Sequence, residues 1–137
     1  MERFLGRYEP HFYALLRIVS GFLFLLHGTQ KFFNFPPMPP NTPSGPLNGL
    51  MTVGATIEIL AGLLILIGLF TSLAAFIASG MMAVAYFMAH QPQGALPASN
   101  GGDAAVLFCF IFLYMSARGS GILSVDSARR GGTGDRR

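Results

Sequence analysis

Four apolar segments fill most of this 137-residue chain, and each carries or borders a polar group that hydrocarbon rejects. Arg17, His27 and Lys31 belong to the first segment and Glu58 to the second. His90 ends the third, and Asn100 and Asp103 open the fourth. A charge at the centre of a bilayer costs at least ~2.5–3.5 kcal/mol on insertion scales, so such groups persist where they face a protein interior and meet partners. The pattern constrains the chain to an all-α membrane bundle with a polar interior.

Composition agrees. Charged residues make up 11% of the chain, against about 25% in a soluble domain. Net charge is +3, but the basic residues sit mainly near the termini and form no nucleic-acid patch. Tryptophan is absent, which leaves Tyr8, Tyr13, Tyr86 and Tyr114 as candidate interface anchors. The single cysteine, Cys109, lies in an apolar run and can form neither an internal disulfide nor a C-x-x-C pair. Redox chemistry would therefore need a bound small molecule or a partner. No cleavable signal peptide is expected, because the run after residue 11 is too long and lacks an A-x-A site.

A spanning helix needs about 20 mostly apolar residues. The pattern predicts four antiparallel transmembrane helices, at about 12–33, 47–69, 73–89 and 103–117. Six prolines between Phe35 and Pro46 form the first long connection, since proline cannot continue a helix. Phe70-Thr71-Ser72 makes a tight turn, and residues 91–102 form the second long loop. The membrane domain covers 1–118, and the Gly/Arg-rich tail of 119–137 is expected to be disordered from residue 129. Arg3 and Arg7 precede the first helix; Arg118, Arg129, Arg130, Arg136 and Arg137 follow the fourth. Neither long loop contains Lys or Arg. The positive-inside rule then puts both termini in the cytoplasm. Small residues, among them Gly21, Gly28, Gly54, Gly62, Ala74, Ala78 and Ser79, invite close helix packing.

Two polar groupings follow. Arg17 lies about 7 Å and Glu58 about 16 Å above the inner ends of their helices, at ~1.5 Å per residue. An arginine side chain can bridge most of that difference, so a buried Arg17–Glu58 ion pair is expected. It would fix helix register, and Glu58 could also handle protons. The second grouping lies at the outer end. His27 and Lys31 end the first helix there, His90 ends the third, and Asn100 and Asp103 open the fourth. Tyr86 lies one turn below His90, with Ser79 and Ala83 continuing its face as the expected floor of one pocket.

That pocket suits a quinone head group, held by His27, Lys31, Tyr86, His90 and Asn100, with Glu58 and Asp103 as candidate catalytic carboxylates for the accompanying proton. Haem between His27 and His90, or zinc on His27, His90 and Asp103, are less favoured chemistries.

On Arg17 with Gly21 and Phe22, His27-Gly28-x-x-Lys31, Glu58 followed by Gly62 and Gly68-Leu69-Phe70-Thr71, Met82-Ala83-x-Ala85-Tyr86-Phe87 leading to His90, and Asn100-Gly101-Gly102-Asp103, the sequence resembles the DoxX family of small bacterial membrane proteins. Asp103 stands where members often have Glu, and the Pro-rich loop is this chain's own variation. The resemblance implies a four-helix protein of the bacterial inner membrane with a redox association, as subunit or partner of a quinone-linked oxidoreductase. The alternatives are a non-catalytic scaffold for partner proteins, or a small lipid-binding or transport protein, which a homo-oligomer would suit.

Overall fold

The computed structural model describes residues 1–42 and 45–131, and every described segment is helix, turn or loop. Pro43 and Ser44 of the Pro-rich connection, and the tail from Gly132 with Arg136 and Arg137, lie outside the described residues.

Four long helices carry the fold: α1 (Glu9–Phe33), α2 (Gly49–Ile67), α3 (Thr71–Ala85) and α4 (Asp103–Arg118). The first begins earlier than the hydropathy predicts. Pro10 sits in its opening turn with Glu9 beside it, and both favour a helix start. Two short turns, Glu2–Leu5 and Gly6–Tyr8, extend it further back. It stops at Asn34, whose left-handed φ of 50° returns its N–H to the carbonyls of Gln30 and Thr29. Asn48 caps α2 by accepting the Met51 N–H at 2.8 Å. Gly68, at φ 72°, closes α2, a left-handed position that only glycine takes without strain. Beyond Ala85 the third helix widens into a π-helical turn, Tyr86–His90, and then tightens into a 3₁₀ turn, Gln91–Gln93. The tail is more ordered than its composition suggests: Ser124 and Ser127 form a capping box that starts α5 (Val125–Arg129).

Contacts fix the arrangement. Gly21 lies opposite Gly62 and Leu66, while Gly28 lies opposite Ala55 and Ile59, so α1 and α2 run antiparallel with backbones touching. Ser79 donates to the Cys109 carbonyl at 2.7 Å, and the Tyr86 ring lies against Gly102, which makes α3 and α4 antiparallel as well. Large rings bridge α1 to α4. Phe24 meets Phe112 at 4.9 Å and Phe108 at 5.8 Å, and Tyr13 meets Tyr114 at 5.9 Å. Such ring pairs contribute ~0.5–1.5 kcal/mol each beyond their burial. Small residues thus join each helix pair, and aromatic residues fill the wider gap between pairs.

Apolar side chains also face outward on every long helix, including Val19, Leu63, Phe76 and Phe110. A helix apolar all round is a buried or membrane helix. Among the described residues three helical stretches are long and apolar enough to cross a membrane: Glu2–Phe33, Gly49–Ile67 and Thr71–Gln93. The bundle has a terminal end, where α1 starts and α4 finishes, and a loop end with both long connections.

Candidate functional site

The expected Arg17–Glu58 pair does not form. Arg17 is fully buried, yet among the described residues its guanidinium binds backbone only. Nη1 donates to the carbonyls of Ile65 and Leu66, each at 2.8 Å. Nη2 donates to those of Leu123 at 2.7 Å and Ile122 at 3.3 Å. The reason is register and side-chain direction. With Gly21 seated between Gly62 and Leu66, Arg17 comes level with the end of α2 near Gly68, about 15 Å from the level of Glu58 at ~1.5 Å per residue. Helical side chains lean toward their own N-terminus. In antiparallel helices Arg17 and Glu58 therefore lean apart. The last turn of α2 offers orphan carbonyls and the negative end of a helix dipole, and a guanidinium satisfies both.

Arg17 anchors a wider knot at the terminal end. Tyr13 donates its hydroxyl to the Gly119 carbonyl. Ser120 meets Thr71 at 3.0 Å and also donates to the Asp126 carboxylate. The Asp126 N–H donates to the Gly68 carbonyl at 3.0 Å. Arg118 pairs with Glu9 at 2.6 Å and covers the Tyr13 ring at 4.2 Å. The sequence reading missed this knot; its one visible signal was the Ser124-x-x-Ser127 spacing.

Glu58 pairs with Lys31 instead. Lys31 Nζ lies 2.7 Å from Glu58 Oε1, and the two side chains are 33% and 3% exposed. Lys31 leans down α1 and Glu58 leans up α2, so the same rule that parts Arg17 from Glu58 brings these together. Glu58 Oε2 is buried without a hydrogen-bond partner among the described residues. Lys31 borders a cavity of ≈ 390 Å³ with Gln30, Asn34, Met38, Leu47 and Met51. Part of the Pro-rich loop walls that cavity and is tied to the end of α1. Thr29 Oγ1 donates to the Phe35 carbonyl at 2.7 Å, Gln30 Nε2 donates to that of Pro37 at 3.3 Å, and Asn34 Oδ1 accepts the Met38 N–H at 3.3 Å.

This geometry predicts a specific coupling. Lys31→Met strands a buried carboxylate and should cost about 1–3 kcal/mol, below the usual cost of breaking a fully buried pair because Lys31 is partly open to water. Adding Glu58→Gln should recover most of the loss. Melting of the two singles and the double in the same detergent checks it. Additive losses would mean that the two groups do not interact.

The remaining predicted residues do not complete one pocket. Tyr86, His90 and Asn100 form a separate cluster between α3 and α4. Asn100 is buried, and its Nδ2 donates to Tyr86 Oη at 3.2 Å and to the Gly94 carbonyl at 3.0 Å. Its Oδ1 accepts the Gly102 N–H at 2.8 Å. His90 Nδ1 meets the Asn100 carbonyl at 3.2 Å. No hydrogen bond or ion pair links this cluster to Lys31–Glu58 among the described residues. His27 is exposed and meets the Phe108 ring edge-on at 6.1 Å. Asp103 is exposed in the first turn of α4 and joins neither group. Ser79 is no pocket floor, because its hydroxyl is spent on α4. Among the described residues no three His, Cys, Asp or Glu side chains gather into a metal-sized group.

The sequence model of the DoxX family matches residues 12–91. The chain belongs to the DoxX family. The match takes in Arg17, His27, Lys31, Glu58, Tyr86 and His90 and stops short of α4. This DoxX protein is also similar to an uncharacterized protein of Haemophilus influenzae, at 41% identity over 126 residues, which is 90% of this chain and 94% of that one. No solved structure matches it.

Proposed function

We propose that this DoxX protein is a quinone-interacting subunit or partner of a redox system in the bacterial inner membrane, and that Lys31 and Glu58 are its working pair. In this reading all four long helices cross the bilayer and both termini are cytoplasmic. α4 has 16 residues, about 24 Å at ~1.5 Å per residue against a core of about 30 Å, and local bilayer thinning accommodates such a shortfall. The absence of basic residues from both long loops supports the orientation. The loop end then faces outward, and the Lys31 cavity opens at the depth of a head group.

One observation carries the reading: a carboxylate is buried with one oxygen unpartnered among the described residues, beside a half-open ammonium that borders a cavity. An ammonium has three donors and no acceptor, and Lys31 spends one of them on Glu58. A quinone carbonyl can take another. Glu58 is then positioned to exchange the proton that accompanies quinone chemistry, with Lys31 between it and water. A cavity of ≈ 390 Å³ lies within the ~300–1,000 Å³ range of small-molecule sites.

The test is extraction of protein purified from its own membrane, followed by mass spectrometry. Wild type should retain a quinone in near-stoichiometric amount, and Lys31→Met should lose it while remaining folded. Phospholipid alone in both preparations would overturn the proposal.

A further inference from the structure

The Tyr86–His90–Asn100 cluster has a polarity fixed by elementary hydrogen-bond chemistry. A backbone carbonyl only accepts. The contact between His90 Nδ1 and the Asn100 carbonyl therefore puts the hydrogen of a neutral imidazole on Nδ1 and leaves Nε2 as a lone-pair acceptor. An amide NH₂ only donates. Tyr86 Oη accepts from Asn100 Nδ2, so the tyrosine's own hydrogen is uncommitted. The amide orientation follows from its other face, where Oδ1 accepts the Gly102 N–H. Neither the Tyr86 hydroxyl hydrogen nor His90 Nε2 has a partner among the described residues.

The two rings are held together. They stack at 6.4 Å with planes 26° apart. The π-helical turn, closed by the Gln91 N–H on the Tyr86 carbonyl, sets their spacing. A Cβ on Gly102 would lie 2.6 Å from the Tyr86 ring, so that position accepts no side chain. Both rings are half-buried.

We infer that this cluster is a second ligand site, one that takes a hydroxyl group and selects the reduced, quinol form of the ligand. A hydroxyl oxygen accepts from Tyr86 while its hydrogen is donated to His90 Nε2. A quinone carbonyl satisfies Tyr86 but turns its lone pairs toward the lone pair of Nε2. Selection thus has an attractive and a repulsive element. The Lys31 ammonium has the opposite polarity, because it offers donors only and suits the oxidised carbonyl. For its ligand class the inference rests on the reading under Proposed function.

Histidine ¹⁵N NMR on the full chain in nanodiscs tests it, with duroquinol (kept reduced under anaerobic conditions) and duroquinone as probes. The three histidines are distinguished by His90→Gln. At about pH 8, where an ordinary imidazole is neutral, His90 should show protonated Nδ1 and bare Nε2. Duroquinol should move the Nε2 signal with an affinity at least about tenfold above that of duroquinone, which is ~1.4 kcal/mol. Tyr86→Phe should weaken both probes while leaving the His90 signal of the unliganded protein in place, and His90→Gln should remove the preference. The opposite tautomer, equal affinities, or no response of His90 to duroquinol would overturn the inference. If duroquinone binding that depends on Lys31 persists in those cases, the quinone reading stands alone. If neither probe binds wild type, both fall.

Discussion

Gly62→Leu should abolish the folded protein, and Gly21→Leu should do the same. A Cβ on Gly62 would lie 2.6 Å from the Leu25 nitrogen, and one on Gly21 would lie 2.5 Å from the Leu66 nitrogen. Those neighbours are backbone, which cannot swing aside as a side chain can. Overpacking an ordinary core costs ~1–3 kcal/mol; here α1 and α2 must separate, taking Lys31 away from Glu58. Size-exclusion chromatography in mild detergent should show aggregation in place of a sharp peak. Gly54→Leu is the control, because a Cβ there meets nothing within 4 Å, and it should melt as wild type does. A monodisperse Gly62→Leu protein with wild-type melting would refute the backbone contact.

Arg17→Met comes next in size. It removes four hydrogen bonds to backbone carbonyls on two segments of chain. Each buried acceptor left unpaired costs about 1–3 kcal/mol. A total loss of at least about 3 kcal/mol is therefore expected, together with release of residues 119–131 from the end of α2. Arg17→Lys should recover only part of it, because a single ammonium cannot fork to both segments. Limited proteolysis reads the release directly, as cleavage between Gly119 and Arg130 in the variant at protease levels that spare wild type. The guanidinium needs no carboxylate, so Glu58→Gln should not cause this cleavage. If Glu58→Gln frees the tail as Arg17→Met does, the two residues are coupled after all.

Much of the fold was legible in the sequence. Segment lengths and prolines marked the helices, and Gly21, Gly28 and Gly62 marked the closest packing. Gly54 carries the same signal yet meets open space, because a glycine shows where approach is allowed and not whether a neighbour is there. The partner of Glu58 was harder to read. Counting residues gives a height along each helix but not the register between helices, and Arg17 seemed near enough by height alone. Pairing Gly21 with Gly62 would have supplied the register, and the lean of helical side chains the direction.

The outer cluster was overdrawn for a related reason. A shared level at one end of a bundle does not bring side chains together across it. Phe24, Phe108 and Phe112 hold α1 and α4 at aromatic distance, and the polar groups divide between the two helix pairs. The contacts of residues 119–129 were not legible because composition hides specific contacts. Glycines and serines that suggest disorder supply a capping box and the left-handed turns at Gly119 and Gly121.

Lys31, held by buried Glu58 and bordering the cavity, is the proposed donor to a quinone head group. Duroquinone titration of wild type and Lys31→Met in the same nanodiscs tests it most directly, with Gly54→Leu run alongside as a folded control. Wild type and Gly54→Leu should bind saturably and alike, and Lys31→Met at least about tenfold more weakly, the worth of one charge-assisted hydrogen bond. Equal binding by a folded Lys31→Met protein would contradict the claim.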